Sequence, residues 1–203
     1  MRSWVAGYRG DSERWSLTGP RGGGTQRVQR QLGGDEQQNK DDDSPVTVAD
    51  YGAQAVVAWC LLRAFPAAFS MVAEEDSAAL MGDANRALRE RIAALVTEVV
   101  REEDPSVTLS VEQVIALIDT GKAAGGAAGR HWVLDPIDGT RGFVGGRQYA
   151  VCLGLIDGGE VVVGVLGCPN MPLAALTDAD GTAAVTSAGG GNNSILNVTF
   201  TAS

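Results

Sequence analysis

The chain has 203 residues, 44% of them hydrophobic, which is enough to bury one sizeable core, and it carries a net charge of −9. The charge is uneven: residues 1–40 hold seven Arg or Lys against four acids, so the remainder is strongly acidic. Such a surface repels nucleic-acid backbones and anionic membranes, which argues against both as partners and favours cations first, with phosphates held through them.

Residues 1–43 show no periodicity, contain Gly22, Gly23, Gly24, Gly33 and Gly34, and end in Asp41, Asp42 and Asp43, the composition of a disordered Gly/Arg-rich tail. There is neither an apolar run of roughly 18 residues nor an apolar signal core. Cys60, Cys152 and Cys168 are odd in number and lack CxxC spacing. Together these predict an intracellular protein of a reducing compartment, cytoplasm or organelle. Ala49, Ala53, Val56, Val57, Cys60 and Leu61 recur at helical spacing and predict an amphipathic helix over Ala49–Ala64, stopping before Pro66, with Asp50 in its first turn. Phe69–Ala73 reads as a buried strand that delivers Glu74, Glu75 and Asp76 at its end. Leu88, Ile92, Leu95, Val96 and Val99 predict a second helix from about Asp83 to Glu102, with Arg86, Arg89, Arg91 and Glu98 on its solvated face. Ser110 with Gln113 forms a capping-box pattern before a third, short helix.

Gly121–Gly129 reads as a flexible loop, followed by strands at Trp132–Asp135, Tyr149–Ile156 and Glu160–Leu166, the last two joined in a hairpin by Asp157, Gly158 and Gly159. Beyond Pro172, Ala, Gly, Thr and Ser dominate, so 173–203 reads as an irregular low-complexity tail with a stray strand at Ile195–Phe200. The domain proper is 44–172.

Chemistry concentrates in Trp132-Val-Leu-Asp-Pro-Ile-Asp-Gly-Thr-Arg-Gly-Phe143. An apolar run ends in Asp135, Pro136 stiffens the turn, and Asp138 follows at once. Two carboxylates leaving one strand end can share a hard divalent cation, and Mg²⁺ takes few carboxylates together with water and phosphate oxygens. Gly139 admits close backbone approach, and a helix starting at Thr140 would face its free N–H groups to a phosphate. The same residues also read as an ordinary strand-to-turn junction, since Asp, Pro and Gly are turn residues. Likewise Asp50 reads as a helix-terminal acid, Glu75 and Asp76 as solvated or structural, His131 as packing, and Arg141 and Arg147 as phosphate contacts or solvent-facing cations.

The string Asp135-Pro-Ile-Asp-Gly-Thr140, followed by Gly142 and Phe143, resembles the signature of the lithium-sensitive, magnesium-dependent phosphatase superfamily. Its members include inositol monophosphatases, fructose-1,6-bisphosphatases and 3'(2'),5'-bisphosphate nucleotidases. Ser44-Pro-Val-Thr-Val-Ala-Asp50, Val72-Ala-Glu-Glu-Asp-Ser77 and Gly129-Arg-His-Trp132 look most like the bisphosphate nucleotidase branch, over roughly Asp41–Pro172. The resemblance implies an α/β layered sandwich, the N-terminal domain of the sugar-phosphatase fold, with helices covering a mainly antiparallel sheet.

It also implies that Glu74, Asp135 and the carbonyl of Ile137 hold one Mg²⁺, that Asp135 and Asp138 hold a second, and that a third leans on Glu74. Thr140, hydrogen-bonded to Asp50, would orient the attacking water, and the Gly139 and Thr140 N–H groups would hold the phosphate. The implied reaction removes the 3'-phosphate of adenosine 3',5'-bisphosphate to give AMP, with inositol phosphates as the alternative substrates. The family's later Trp-Asp motif has no counterpart, since no Trp follows Trp132. The resemblance therefore implies a truncated form with its C-terminal domain largely absent, self-associating through exposed apolar surface, its activity weakened or replaced by a binding or regulatory role.

Overall fold

The computed structural model describes residues 45–66, 69–170, 183–188 and 195–201, so the predicted tail over 1–43 lies outside the described residues. Helix α1 spans Pro45–Ala64. Proline at a first helical position presets φ and forfeits no hydrogen bond. The helix therefore begins earlier than the predicted Ala49, and Asp50 falls in its second turn rather than its first. Residues 51–61 are all buried, so α1 is not the amphipathic helix expected but one enclosed on every side. It packs on the sheet through β2 (Arg130–Asp138) and on its other sides against α2 (Arg86–Glu103) and α3 (Val111–Asp119). A Cβ at Gly52 would meet Leu95 Cδ2 at 3.0 Å, which shows how closely α1 and α2 approach.

Helix α2 has the expected two faces: Leu88, Ile92, Val96 and Val99 are buried, while Arg86, Arg91 and Glu98 are exposed. Arg89 departs from the solvated reading. Its guanidinium donates to the carbonyls of Leu80 (2.5 Å) and Gly82 (2.7 Å), tying α2 to the 3-10 turn Ser77–Leu80. Helix α3 opens on the predicted capping box, with Gln113 N donating to Ser110 Oγ (3.3 Å) and Ser110 N donating to Gln113 Oε1 (2.8 Å).

The sheet has six strands, β1 (Met71–Ala73), β2, β3 (Ala150–Asp157), β4 (Glu160–Cys168), β5 (Ala183–Ala188) and β6 (Ile195–Thr201), in the order β1-β2-β3-β4-β6-β5. Only β1 and β2 pair in parallel, so the mainly antiparallel α/β layered arrangement is as expected. Gly158 and Gly159, at φ 61° and 88°, form the left-handed two-residue turn that matches the twist of the β3–β4 hairpin. Trp132, Leu134, Leu153, Leu155, Val163 and Val165 share one core with Leu61 of α1 and Ile92 of α2.

Two segments differ from the sequence reading. The strand expected at Ile195–Phe200 is present as β6 (Ile195–Thr201), but it is a member of the sheet, paired along β4 and with β5, and residues 183–188 form a strand where an irregular tail was expected. The β4 partner is remote in sequence, so local composition does not encode the pairing. The loop after α3 is also more than a flexible connection at its start. Ala73 N donates to Gly121 O (2.9 Å), Ala123 N donates to Met71 O (3.0 Å), and Val72 bridges Lys122, so these residues cover the outer edge of β1.

Candidate metal and phosphate site

The site begins with a proline in a strand. Pro136 has no N–H to give the ladder, and the β2–β3 register slips there, from Asp135 opposite Cys152 to Asp138 opposite Ala150. In a regular strand, residues three apart point to opposite faces. The bulge inserts one residue and reverses the alternation, so Asp135 and Asp138 stand on one face, opposite two β3 residues that are themselves two apart. Asp135 is steadied locally, its Oδ1 accepting from Ile137 N at 3.1 Å.

Gly139, at φ 87° and ψ 45°, turns the chain into the short helix α4, Thr140–Val144. A Cβ at Gly142 would lie 2.0 Å from Gln148 O, so the return loop sits directly on α4, and Arg147 N donates to Gly142 O at 2.7 Å. Beneath the turn, Phe143 and Tyr149 meet edge to face at 4.9 Å and pack with Ile137 and Ala49 in a small core of their own. Ala49 precedes Asp50. That second core therefore docks the Asp50 segment of α1 against the β2 bulge.

The third acid-bearing segment follows β1, which runs parallel to β2 with Ala73 opposite Leu134, so Glu74 leaves the sheet beside Asp135. Gln54, wholly buried one turn along α1 from Asp50, holds this segment: its Nε2 donates to Glu75 O (2.6 Å) and Ile118 O (2.8 Å), and its Oε1 accepts from Glu75 N (3.0 Å). Farther along, Asp76 accepts from Ala78 N (2.6 Å) as the cap of the 3-10 turn, and Ser77 donates through both N and Oγ to Asp119 (3.0 and 2.8 Å).

The electrostatics follow from this convergence. Burial, then the charges of Glu75, Glu74 and Asp135, push the Asp50 carboxyl up to about 8. Glu74 is raised by burial, by the charge of Asp135, by a hydrogen bond with Asp135 and by the charge of Asp138. Asp135 is raised by burial and by Asp138, with the Ile137 N–H and Glu74 acting in the opposite sense. Glu75 is raised chiefly by burial and steadied by the Tyr51 hydroxyl. Among the described residues, no Lys or Arg counts with the groups that shift these carboxyls.

The fold places Asp50, Glu74, Asp135 and Asp138 near one another, with the carbonyl of Ile137 and the Gly139 turn in the same segment as the last two. Thr140 differs: its hydroxyl donates to Ile137 O at 3.5 Å, and it forms no bond to Asp50. His131 is a buried packing residue, and Arg141 and Arg147 are exposed. Two neighbours went unread in the sequence. Gln54 is a polar residue inside an apolar helical run, and Cys152 donates its thiol to Asp138 Oδ2 at 4.0 Å, a consequence of β3 register.

No group of three or more His, Cys, Asp or Glu side chains stands ready as a metal cage among the described residues. Instead, Glu74 and Asp135 stand close enough to act on each other, and burial with the neighbouring acids raises both carboxyls above their ordinary range. Mg²⁺ is commonly held by one or two carboxylates with water and phosphate oxygens, so this donor set fits it in type and charge without a closed cage.

Residues 42–197 match the inositol monophosphatase family model. The chain is 51% identical over 154 residues to 3'(2'),5'-bisphosphate nucleotidase 1 of Arabidopsis thaliana, covering 74% of this chain and 44% of the relative. It is 48% identical over 159 residues to the 3'(2'),5'-bisphosphate nucleotidase of Oryza sativa, covering 77% and 44%. A third relative, the 3'(2'),5'-bisphosphate nucleotidase of Emericella nidulans, is 48% identical over 141 residues, covering 66% and 39%. The chain thus spans less than half the length of these curated relatives. The matched span contains α1, the Glu74 loop and the Asp135–Thr140 turn together, and on it the chain belongs to the inositol monophosphatase family.

Proposed function

We propose that this chain carries the cation- and phosphate-binding part of a magnesium-dependent phosphomonoesterase that removes the 3'-phosphate of adenosine 3',5'-bisphosphate to give AMP. The observation that carries the reading is the meeting of Asp50, Glu74, Asp135 and Asp138 from three elements, with no Lys or Arg of the described residues among the groups that shift the first three. A divalent cation removes that conflict. The relatives' names supply the substrate class.

In this reading Glu74, Asp135, Asp138 and the Ile137 carbonyl hold Mg²⁺. Once bound, Mg²⁺ polarises a phosphoryl oxygen and makes water a better nucleophile. The chain's own residues do the rest. In this reading the Thr140 hydroxyl leaves Ile137 O, which then serves as a ligand, and pairs with Asp50 to orient the attacking water. With a cation countering the acids that raise it, Asp50 would be a carboxylate and would accept the proton of the attacking water. The N–H groups at Gly139 and Thr140 orient the phosphate, and the acidic body keeps polyanionic nucleic acid and anionic membranes away from it. Among the described residues no helix is long and apolar enough to cross a membrane. The free thiols of Cys60, Cys152 and Cys168 support a reducing intracellular compartment. Exposed Leu62, Met81, Val144 and Val161 support self-association, which sedimentation reports directly.

The test is phosphate release by purified chain from adenosine 3',5'-bisphosphate and from inositol 1-phosphate, with and without Mg²⁺, beside Asp135→Ala. Release from the nucleotide that needs Mg²⁺ and vanishes in Asp135→Ala is the expected result. Faster release from inositol 1-phosphate would move the substrate to the inositol phosphates. No release above the variant, from a folded chain, would leave a binding or regulatory role.

A further inference from the structure

We infer that Gln54 is a positioning residue for the cation site, setting the affinity of the carboxylate cluster through the backbone of the Glu74–Glu75 loop. The inference rests on the metal-binding reading above.

Gln54 is fully buried, and its amide uses both N–H donors and its oxygen on three backbone groups: Glu75 O at 2.6 Å, Ile118 O at 2.8 Å and Glu75 N at 3.0 Å. Glu75 N belongs to the peptide that joins it to Glu74, and Glu75 O belongs to the next peptide. Peptide planarity means that gripping both fixes the orientation of two successive planes, and with them the Cα from which the Glu74 side chain springs. Asp50 and Gln54 are four apart on α1 and share a face, so one helix face offers a carboxyl to the cluster and an amide to the backbone that carries its partner. The space is fitted closely: a Cβ at Gly121 would stand 2.8 Å from Gln54 Nε2 and 2.7 Å from the Ala73 Cβ. Removing the amide strips both Glu75 backbone groups of the Gln54 grip, while Ile118 O keeps the Gly121 N–H, and frees Glu74 to swing away from Asp135, since like charges at that end favour separation.

A purely structural role would lower stability and leave cation affinity alone. The loop has a second anchor that separates the two roles, because Ser77 bonds to Asp119 at its far end, beyond the acids. The experiment measures Mn²⁺ binding by the electron paramagnetic resonance of the free ion, with thermal unfolding in parallel, for wild type, Gln54→Met, Gly121→Ala and Ser77→Ala. Gln54→Met keeps the volume and removes the polar grip, whereas Gly121→Ala displaces the amide without deleting it, so either remains informative should the other fail to fold.

The expected result is a loss of Mn²⁺ affinity of about tenfold or more in Gln54→Met and a loss in the same direction in Gly121→Ala. Ser77→Ala should lose stability and retain affinity within about twofold. Wild-type affinity in a folded Gln54→Met, or an affinity loss in Ser77→Ala matching it, would overturn the positioning role and leave the metal site standing. A wild-type chain that binds no Mn²⁺ would overturn both.

Discussion

The body of the domain and the acid-lined strand ends are built on opposite terms. In the body, buried polar groups are answered: Gln54 bonds three backbone atoms, and Ser77 bonds Asp119, which itself pairs with Lys122 at 2.8 Å. At the strand ends, carboxylates face one another, and among the described residues no Lys or Arg counts with the groups that shift them. Crowding like charges at one end of the fold is unfavourable, and packing elsewhere must offset it; the proposed cation site is the reading that explains why it is kept.

The largest effect should come from breaking the body alone. Ile92 is 1% exposed in the main core, and Ile92→Ala should cost about 2–5 kcal/mol in chemical unfolding while leaving divalent-cation affinity unchanged in the folded fraction. A change in affinity at constant fold would show that the two regions are not separable. Next comes Asp135→Asn, which breaks the strand-end cluster alone. Phosphate release, if the full reaction is retained, should fall roughly 10²–10³-fold, as for loss of one preorganised charged group. The metal-free variant should unfold at a higher temperature than wild type, because a like charge has gone.

Gly142→Ala joins the two regions. Its Cβ would be driven to 2.0 Å from Gln148 O, a backbone atom with little room to retreat, so a loss of about 1–3 kcal/mol is expected, with weaker cation binding as α4 shifts. Differential scanning calorimetry with and without Mg²⁺ separates the two effects.

The smallest effect is in pH. The folded value for Asp50, about 8, lies above its ordinary 3.8, so the metal-free folded chain holds that proton more tightly than the unfolded one. This contribution to stability is complete below the ordinary value and is lost as pH rises through the folded one. The metal-free chain should therefore lose stability progressively from about pH 4 to about pH 8, and Asp50→Asn should remove that part of the slope. An unchanged slope in Asp50→Asn would place the titration elsewhere.

Much of the body was legible because its signals are local. The Ser110–Gln113 capping box, the apolar period of α2 and the Gly158–Gly159 turn each specify their element within a few residues. The acids of the site were legible through one short string and its resemblance to a family. What was not legible depends on distant partners. Whether Gln54 is exposed or buried is decided by α3 and the Glu75 loop, and the pairing of β6 is decided by β4. The shared face of Asp135 and Asp138 depends on a bulge at Pro136 that only β3 defines. Pro45 at the first helical position is a local start signal that apolar spacing alone does not carry.

The central claim is that the carboxylates at the ends of α1, β1 and β2 form a site for a divalent cation, and thermal unfolding titrated with Mg²⁺ tests it most directly. At a hundredfold excess over Kd, a ligand that binds only the folded state stabilises it by about 2.7 kcal/mol. Mg²⁺ should raise the unfolding temperature of the wild-type chain in a saturable way and leave Asp135→Ala unmoved. An equal shift in both proteins, or no shift in a folded wild-type chain, would contradict the claim.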